Sequence, residues 1–438
     1  MRVPEPAWVE HVVWWQTYPL GVAGADTTGA SREPTPAFAR IGDWLDYVLA
    51  LGASGIALGP IFRSSTHGYD TTDYLSIDER LGTDADFDAL VAAAHARGVR
   101  VLLDGVFNHV GRDHPAFQDV LARGADSPYA GWFRLRWPSG ADGPPEYDDF
   151  EGHSQLVALD HSSPAVAEMV TDVMRHWLDR GADGWRLDAA YAVPPSFWSR
   201  VLPAVRETHP DAYVVGEVIH GDYPGIVRES GMDAVTQYEL WKAIWSSVHD
   251  GNLFELAAAL QRHDDFLDTF VPLTFVGNHD VTRIASQITD ERHVAHAVVV
   301  LLTVGGTPSI YYGDEQAFRG VKEERVGGDD EIRPALPAHP EDLSPLGEPT
   351  LRLHQELIGL RRRHPWLHSA HTSVVELANA TMVYDATGDG GERLRVALNL
   401  SDDGYTIDAD GLSLQAGSAS HPGDGHLVVD PHGWAVLG

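Results

Sequence analysis

The chain has 438 residues, 43% of them hydrophobic and 22% charged, with a formal net charge of −33 from 31 basic and 64 acidic residues. That length accommodates one large domain and a smaller one, while so acidic a balance disfavours nucleic acid and anionic membrane as partners, both of which demand a basic surface. There is no cysteine, which removes disulfides, thiolate catalysis and cysteine-based zinc sites.

Residues 1–6 lack the apolar segment of a signal peptide. The longest apolar run, residues 297–304, is too short to span a bilayer. The expected location is the cytoplasm. The apolar run Val12-Val13-Trp14-Trp15 opens a strand closed by Pro19, and residues 38–51 carry apolar positions at helical spacing up to Gly52. A second strand is expected at residues 55–58, a loop at 64–75, a helix at 84–97 stopped by Gly98, and a third strand from Val99 ending at Asp104.

The alternation then breaks. Residues 110–158 show no helix of useful length, but glycines, prolines and the acidic run Glu146-Tyr147-Asp148-Asp149. They read as an excursion inserted after the third strand. Alternation resumes with a helix at 164–180, a strand at 184–187, a helix near 196–209 and a strand at 213–217. A sixth strand is expected at 234–236, helices at 238–248 and 253–267, and a seventh strand at 271–276. A helix at 291–304, an eighth strand at 308–312 and a last helix at 350–363 follow.

Eight strands alternating with helices predict an α/β fold of the (β/α)8 TIM-barrel type rather than an open doubly wound sheet. No glycine-rich dinucleotide or phosphate loop follows the first strand. Past Trp366 short strand-like runs alternate with Gly and Asp turns, predicting a C-terminal antiparallel β domain. The expected division is barrel over residues 1–109 and 161–365, a small inserted domain over 110–160, and the β domain over 366–438.

Polar residues at the carboxyl ends of barrel strands line the mouth, where catalysis sits in this fold. The third strand ends Asp104-Gly105-Val106-Phe107-Asn108-His109, the fourth delivers Arg186 and Asp188, the fifth Glu217, and the seventh ends Asn278-His279-Asp280. Arg186 and Asp188 lie two residues apart, on the same side of an extended backbone. The guanidinium can keep such an aspartate ionised, as a nucleophile requires. Crowded carboxylates push their pKa values apart, so that one holds a proton while another is charged. Glycosidic bond cleavage needs that division.

These four clusters, in this order, resemble the four sequence regions of the α-amylase family of glycoside hydrolases, over Trp14 to about Arg363. The inserted segment corresponds to that family's domain B. The resemblance implies that Asp188 is the nucleophile, Glu217 the acid and base, and Asp280 the third carboxylate that holds the distorted sugar. It assigns Arg186 to orienting Asp188, His109 and His279 to hydrogen bonds with the sugar, and Tyr69 to an aromatic platform beneath it. Asp104 is expected as a partner of Arg186, with Asn108 supporting. The retaining mechanism so implied sets the Asp188 and Glu217 carboxyls about 5–5.5 Å apart.

Two departures bear on substrate and cofactor. Calcium-dependent members carry Lys-His shortly after the nucleophile, where this chain has Ala190-Tyr191. The run 146–149 could supply hard oxygen ligands but reads as a solvated turn, so no obligatory calcium and no cofactor is expected. The surroundings of Glu217 resemble cyclomaltodextrinases and neopullulanases, whose N-terminal dimerising domain finds no room before Val12. A monomer is therefore expected. His67 stands where some exo-acting α-glucosidases carry Asp. The implied substrates are maltooligosaccharides or related α-glucans with α-1,4 bonds. A transglycosylase or isomerase using the same site is the alternative, and a non-catalytic sugar-binding subunit is disfavoured by the intact carboxylates. Trp132, Trp137, Trp185 and Trp241 are candidate sugar platforms.

Overall fold

A computed structural model describes residues 2–137, 143–325, 327–423 and 425–438. Met1 and residues 138–142 of the expected inserted domain lie outside them. Eight parallel strands form one sheet: Trp14–Thr17, Gly55–Leu58, Arg100–Gly105, Gly184–Leu187, Tyr213–Gly216, Ala234–Val235, Leu273–Phe275 and Thr307–Tyr311. The first strand pairs with both the second and the eighth. A bridge between Thr236 and Leu273, with Gln237 N donating to Leu273 O at 2.9 Å, joins the sixth to the seventh and closes the barrel. Nearly every strand residue is buried, because helices cover the outer face of a parallel sheet. That double burial is why the strands read as unbroken apolar runs.

Three local expectations are corrected. The segment read as one helix over 38–51 is two, Ala37–Asp43 and Leu45–Leu51. Gly42-Asp43 weakens the helix there, and the buried Trp44 at the break stacks on Trp15 with ring centres 6.0 Å apart. The loop read over 64–75 contains an antiparallel hairpin, Phe62–Ser64 with Thr71–Ile77. Its anchor is polar and so left no hydrophobic pattern. The fully buried Arg80 binds Asp78 at 2.7 Å and Ser64 Oγ at 2.8 Å. The inserted segment does contain a helix, Pro115–Arg123. His114 caps it by accepting from Ala116 N at 3.2 Å, Pro115 sits at its first position, and Gly124 ends it at φ +62°.

The rest of the excursion is a three-stranded sheet, His109–Gly111, His153–Ala158 and Asp149–Phe150, and a two-stranded ribbon, Leu135–Arg136 with Glu146–Tyr147. After the helix Glu348–Arg363 come a five-stranded and a three-stranded antiparallel sheet. A separate small core, including Val383, Ile407, Leu427 and Val429, lies between them. Among the described residues no helix is long and apolar enough to cross a membrane.

Candidate active site

Register builds the centre of the site. Arg186 on the fourth strand is paired with Asp104 on the third, so both side chains emerge into the barrel mouth at one level. Arg186 Nη1 donates to both oxygens of Asp104 at 2.8 Å and to Asp188 Oδ1 at 2.9 Å, while Nη2 meets Glu217 Oε1 at 2.7 Å. One buried guanidinium thus serves three buried carboxylates.

Beyond Asp188 the chain turns sharply through Ala189, at φ +45°, a left-handed conformation that a side chain disfavours. The turn aims Ala189 N at Glu217 Oε2, 2.9 Å away. The other oxygen of Glu217 accepts from Tyr238 at 3.1 Å, and Tyr238 Oη accepts from Asn278 Nδ2 at 2.9 Å. Tyr238 was not singled out in the sequence, where it merely opened a helix.

The charge balance differs from the local reading. Burial pushes the Asp188 carboxyl well up; Arg186 opposes this, but Glu217, Asp104 and Asp280 reinforce it. Asp104 is raised as well, by burial first, against the pull of Arg186. Burial alone would lower the Arg186 guanidinium, yet the carboxylates of Asp104, Glu217 and Asp188 lift it well above its usual value. A single cation shared three ways does not hold Asp188 ionised as a private partner would.

Asp280 is held apart from this cluster. Its backbone N donates to Asn278 Oδ1 at 2.8 Å, His279 Nε2 meets its Oδ2 at 2.9 Å, and Arg333 Nη2 reaches its Oδ1 at 3.1 Å. Burial alone would raise this carboxyl, but His279, Arg333 and Arg186 bring it well below the usual carboxylate range. Arg333 also donates to His279 O at 2.9 Å, pairs with Asp329 at 2.9 Å and lies 4.6 Å over the Tyr18 ring. Sequence reasoning missed Arg333. It sits in an irregular loop after the eighth strand, where no local pattern marks it.

Tyr69 donates its hydroxyl to Asp104 Oδ2 at 3.1 Å and meets His279 Nε2. The half-buried ring lies within 4° of the His279 plane, with centres 5.4 Å apart. His67, two residues earlier, is half-buried and has its imidazole lowered by burial. His109 donates Nε2–H to Tyr69 O at 3.0 Å and takes Asn108 Nδ2 on Nδ1 at 3.1 Å. Both of its ring nitrogens are thus engaged, and burial lowers its pKa to about 4. The Phe150 ring, carried by the inserted segment, stacks on it at 4.8 Å.

That segment supplies a wall. Glu151, at φ +53°, accepts from Tyr191 Oη at 2.7 Å, and Tyr191 lies 6.0 Å from the His220 ring, beyond Glu217. The acidic run behind it is engaged by protein groups: Asp148 pairs with Arg136, Glu146 lies 3.6 Å from Arg136, and Asp149 accepts from Gly152 N at 3.0 Å. Of the tryptophans, Trp185 is wholly buried against Phe107 and Phe62. Trp241 is half-buried and stacks on Phe275, Trp132 is half-buried near His114, and Trp137 is 40% exposed. A pocket reaches the cluster, lined among others by Gln16, Asp104, Arg186, Tyr238 and Asn278.

A family model described as the α-amylase catalytic domain matches residues 37–381. A cyclomaltodextrinase of Geobacillus thermopakistaniensis is 34% identical over 432 residues, covering 92% of this chain and 71% of that protein. A maltogenic α-amylase of Bacillus acidopullulyticus is 34% identical over 392 residues, covering 83% of this chain but only 64% of its own length. Among solved structures, the cyclic α-maltosyl-(1→6)-maltose hydrolase of Arthrobacter globiformis, in complex with its namesake sugar, superposes with a TM-score of 0.84 at 29% identity. The match covers 99% of this chain and 100% of that one.

Proposed function

The chain belongs to the α-amylase family of glycoside hydrolases and is an enzyme acting on α-glucans; from that premise we propose that it cleaves α-1,4-glucosidic bonds of maltooligosaccharides, linear or cyclic, with retention of configuration. Asp188 attacks the anomeric carbon as Glu217 protonates the departing oxygen. The glycosyl ester at Asp188 is then hydrolysed by water that Glu217 deprotonates. Asp280, ionised and fixed by His279 and Arg333, holds hydroxyls of the distorted ring. Tyr69, His109 and His279 line the subsite, with Asn108 and Asp104 supporting them.

The observation that carries this reading is the shared guanidinium. Asp188 and Glu217 are bonded to two nitrogens of Arg186, which supports the close pair a retaining enzyme needs rather than the wider pair that admits a water. Burial raises Asp188 and Asp104 against the pull of Arg186, and crowding of this kind supports a division of the charged and protonated roles among neighbouring carboxyls. Proton NMR of the first product released from maltotriose should show the α-anomer. A β-anomer would sink the assignment.

The whole-chain likeness to a hydrolase of a cyclic tetrasaccharide and the relative named cyclomaltodextrinase support a compact substrate. The wall formed by Phe150, Glu151 and Tyr191 supports it too. Tyr191→Phe removes one hydrogen bond to a solvent-exposed carboxylate. KM for a cyclic dextrin is expected to rise a few-fold, with kcat nearly unchanged. A fall in kcat at constant KM would instead put Tyr191 in the chemistry. The proposal includes a cytoplasmic monomer; a Bacillus subtilis relative, 31% identical, named intracellular maltogenic amylase supports the location. A transferase or isomerase acting through the same ester would yield products longer than maltotriose or non-reducing disaccharides.

A further inference from the structure

Outside the carboxylate cluster, two short segments bring together a second set of ligand-bearing side chains. Asp290 precedes the 3-10 turn Glu291–His293 and caps it, accepting from Arg292 N at 3.1 Å. One turn brings the Asp290 carboxylate and the His293 ring to the same side. The other segment, just before the C-terminal strand Trp434–Leu437, holds His432 at φ +54°. Non-glycine residues rarely occupy that region, and His432 is kept there by its N–H to Ser401 O at 3.0 Å and by Gly433 N to Asp430 O at 3.0 Å. The result is that His293 Nε2 and His432 Nδ1 face each other at 2.9 Å across the junction of barrel and β domain. One ligand atom from each of Asp290, His293 and His432 lies within 4.8 Å of the others.

We propose that Asp290, His293 and His432 bind a divalent transition-metal ion of the zinc type, which clamps the C-terminal β domain to the barrel. Two imidazole nitrogens, each about 2.0–2.1 Å from one tetrahedral zinc ion, stand about 3.3 Å apart. The pair, at 2.9 Å, need part by only a few tenths of an ångström. His432 Nε2 meets Asp402 Oδ1 at 2.8 Å, which keeps the ring proton on Nε2 and leaves the Nδ1 lone pair directed at His293. A carboxylate behind a ligating histidine is the usual means of fixing tautomer and orientation at such sites. Two imidazoles with one carboxylate form a nitrogen-rich set that suits zinc, cobalt or nickel and suits calcium poorly.

The surroundings are built to hold this arrangement. His296, one turn further along the helix Val294–Thr303, donates Nε2–H to Gly433 O at 2.9 Å and to Asn399 O at 3.2 Å. Asn399 Nδ2 in turn donates to Asp403 O at 2.8 Å and to Asp430 O at 2.9 Å. Both halves of the site are thereby tied to one helix. The competing cation is Arg292, whose exposed side chain pairs with Asp290 at 2.7 Å and must release one carboxylate oxygen to a metal. A plain imidazole–imidazole hydrogen bond would account for the 2.9 Å contact, but it predicts no response to metal.

The test uses the full chain stripped with a chelator, titrated with zinc chloride by calorimetry and with cobalt chloride by visible absorption. One equivalent is expected to bind with a cobalt d–d spectrum of histidine ligation, and zinc should raise Tm by a few degrees. His293→Asn and His432→Asn should each weaken binding at least tenfold and remove the zinc-dependent part of Tm; asparagine tolerates the backbone at 432. Arg292→Ala should tighten binding several-fold, and α-glucan hydrolysis should be unchanged in all three. Zinc binding that is unaltered by both histidine variants belongs to other histidines and overturns the proposal. So does failure to bind up to about 1 mM, since a three-ligand site of this kind should saturate well below that.

Discussion

Asp188→Asn is expected to lower kcat/KM on maltotriose by at least about 10⁴-fold, an apparent loss of about 5 kcal/mol or more of transition-state stabilisation. The amide cannot form the glycosyl ester, so the double displacement has no first step. The fold should not suffer. Asn keeps a carbonyl oxygen where Arg186 Nη1 donates to Asp188 Oδ1 at 2.9 Å. Burial and three neighbouring carboxylates raise the Asp188 carboxyl, so its ionised form costs stability in the free enzyme and the neutral isostere removes that cost. Tm at neutral pH should therefore be equal to or above that of the wild type. Residual activity above about 1% in a contaminant-free preparation would remove Asp188 from the nucleophile's role.

Arg186→Met is the second large expected effect, and it is principally one of stability. The substitution keeps an apolar stem of similar length but leaves Asp104, Asp188 and Glu217 buried with no cation between them. Removing one partner of a buried ion pair costs about 3–5 kcal/mol, and here three carboxylates lose the same partner. The sign with pH follows from the direction of the shifts. Asp104 and Asp188 are already raised above their unfolded values, and losing the arginine raises them further. A carboxyl raised in the folded state destabilises progressively as pH climbs past its unfolded value, and does not do so below it. The gap in Tm between wild type and variant should thus be wide near pH 8 and narrow toward pH 5. An unchanged Tm at pH 8 would mean that the carboxylates are not held by this guanidinium.

Both effects were partly legible before any coordinates. The alternation of apolar strand and amphipathic helix is a local property, and so are the polar residues that end each strand; in a parallel barrel every strand points the same way, so strand ends gather at one mouth. Asp104, His109, Arg186, Asp188, Glu217, His279 and Asp280 could therefore be placed at the mouth from strand position alone. The i, i+2 spacing of Arg186 and Asp188 put their side chains on one side, and they are bonded. What hid from view was local structure without a hydrophobic signature. The hairpin around Tyr69 is anchored by Arg80 and Asp78, polar groups that burial turns into core. The helix Pro115–Arg123 has only nine residues, too few for the spacing of Phe117, Val120 and Leu121 to stand out between prolines and glycines.

The amino-acid sequence by itself determined the barrel, the tail of antiparallel strands and the set of carboxylates at the mouth, because periodicity and strand-end position are read within a few residues. Tertiary structure alone decided how charge is distributed among those carboxylates. Asp104, Asp188 and Glu217 share Arg186, whereas Asp280 is bonded instead to Arg333, 53 residues away, and to His279. It also decided that Tyr238 and the Ala189 amide bond Glu217, and that Phe150 closes over His109. The reason is that pKa and orientation depend on burial and on distances of a few ångströms between segments remote in the chain. No spacing within one strand encodes these.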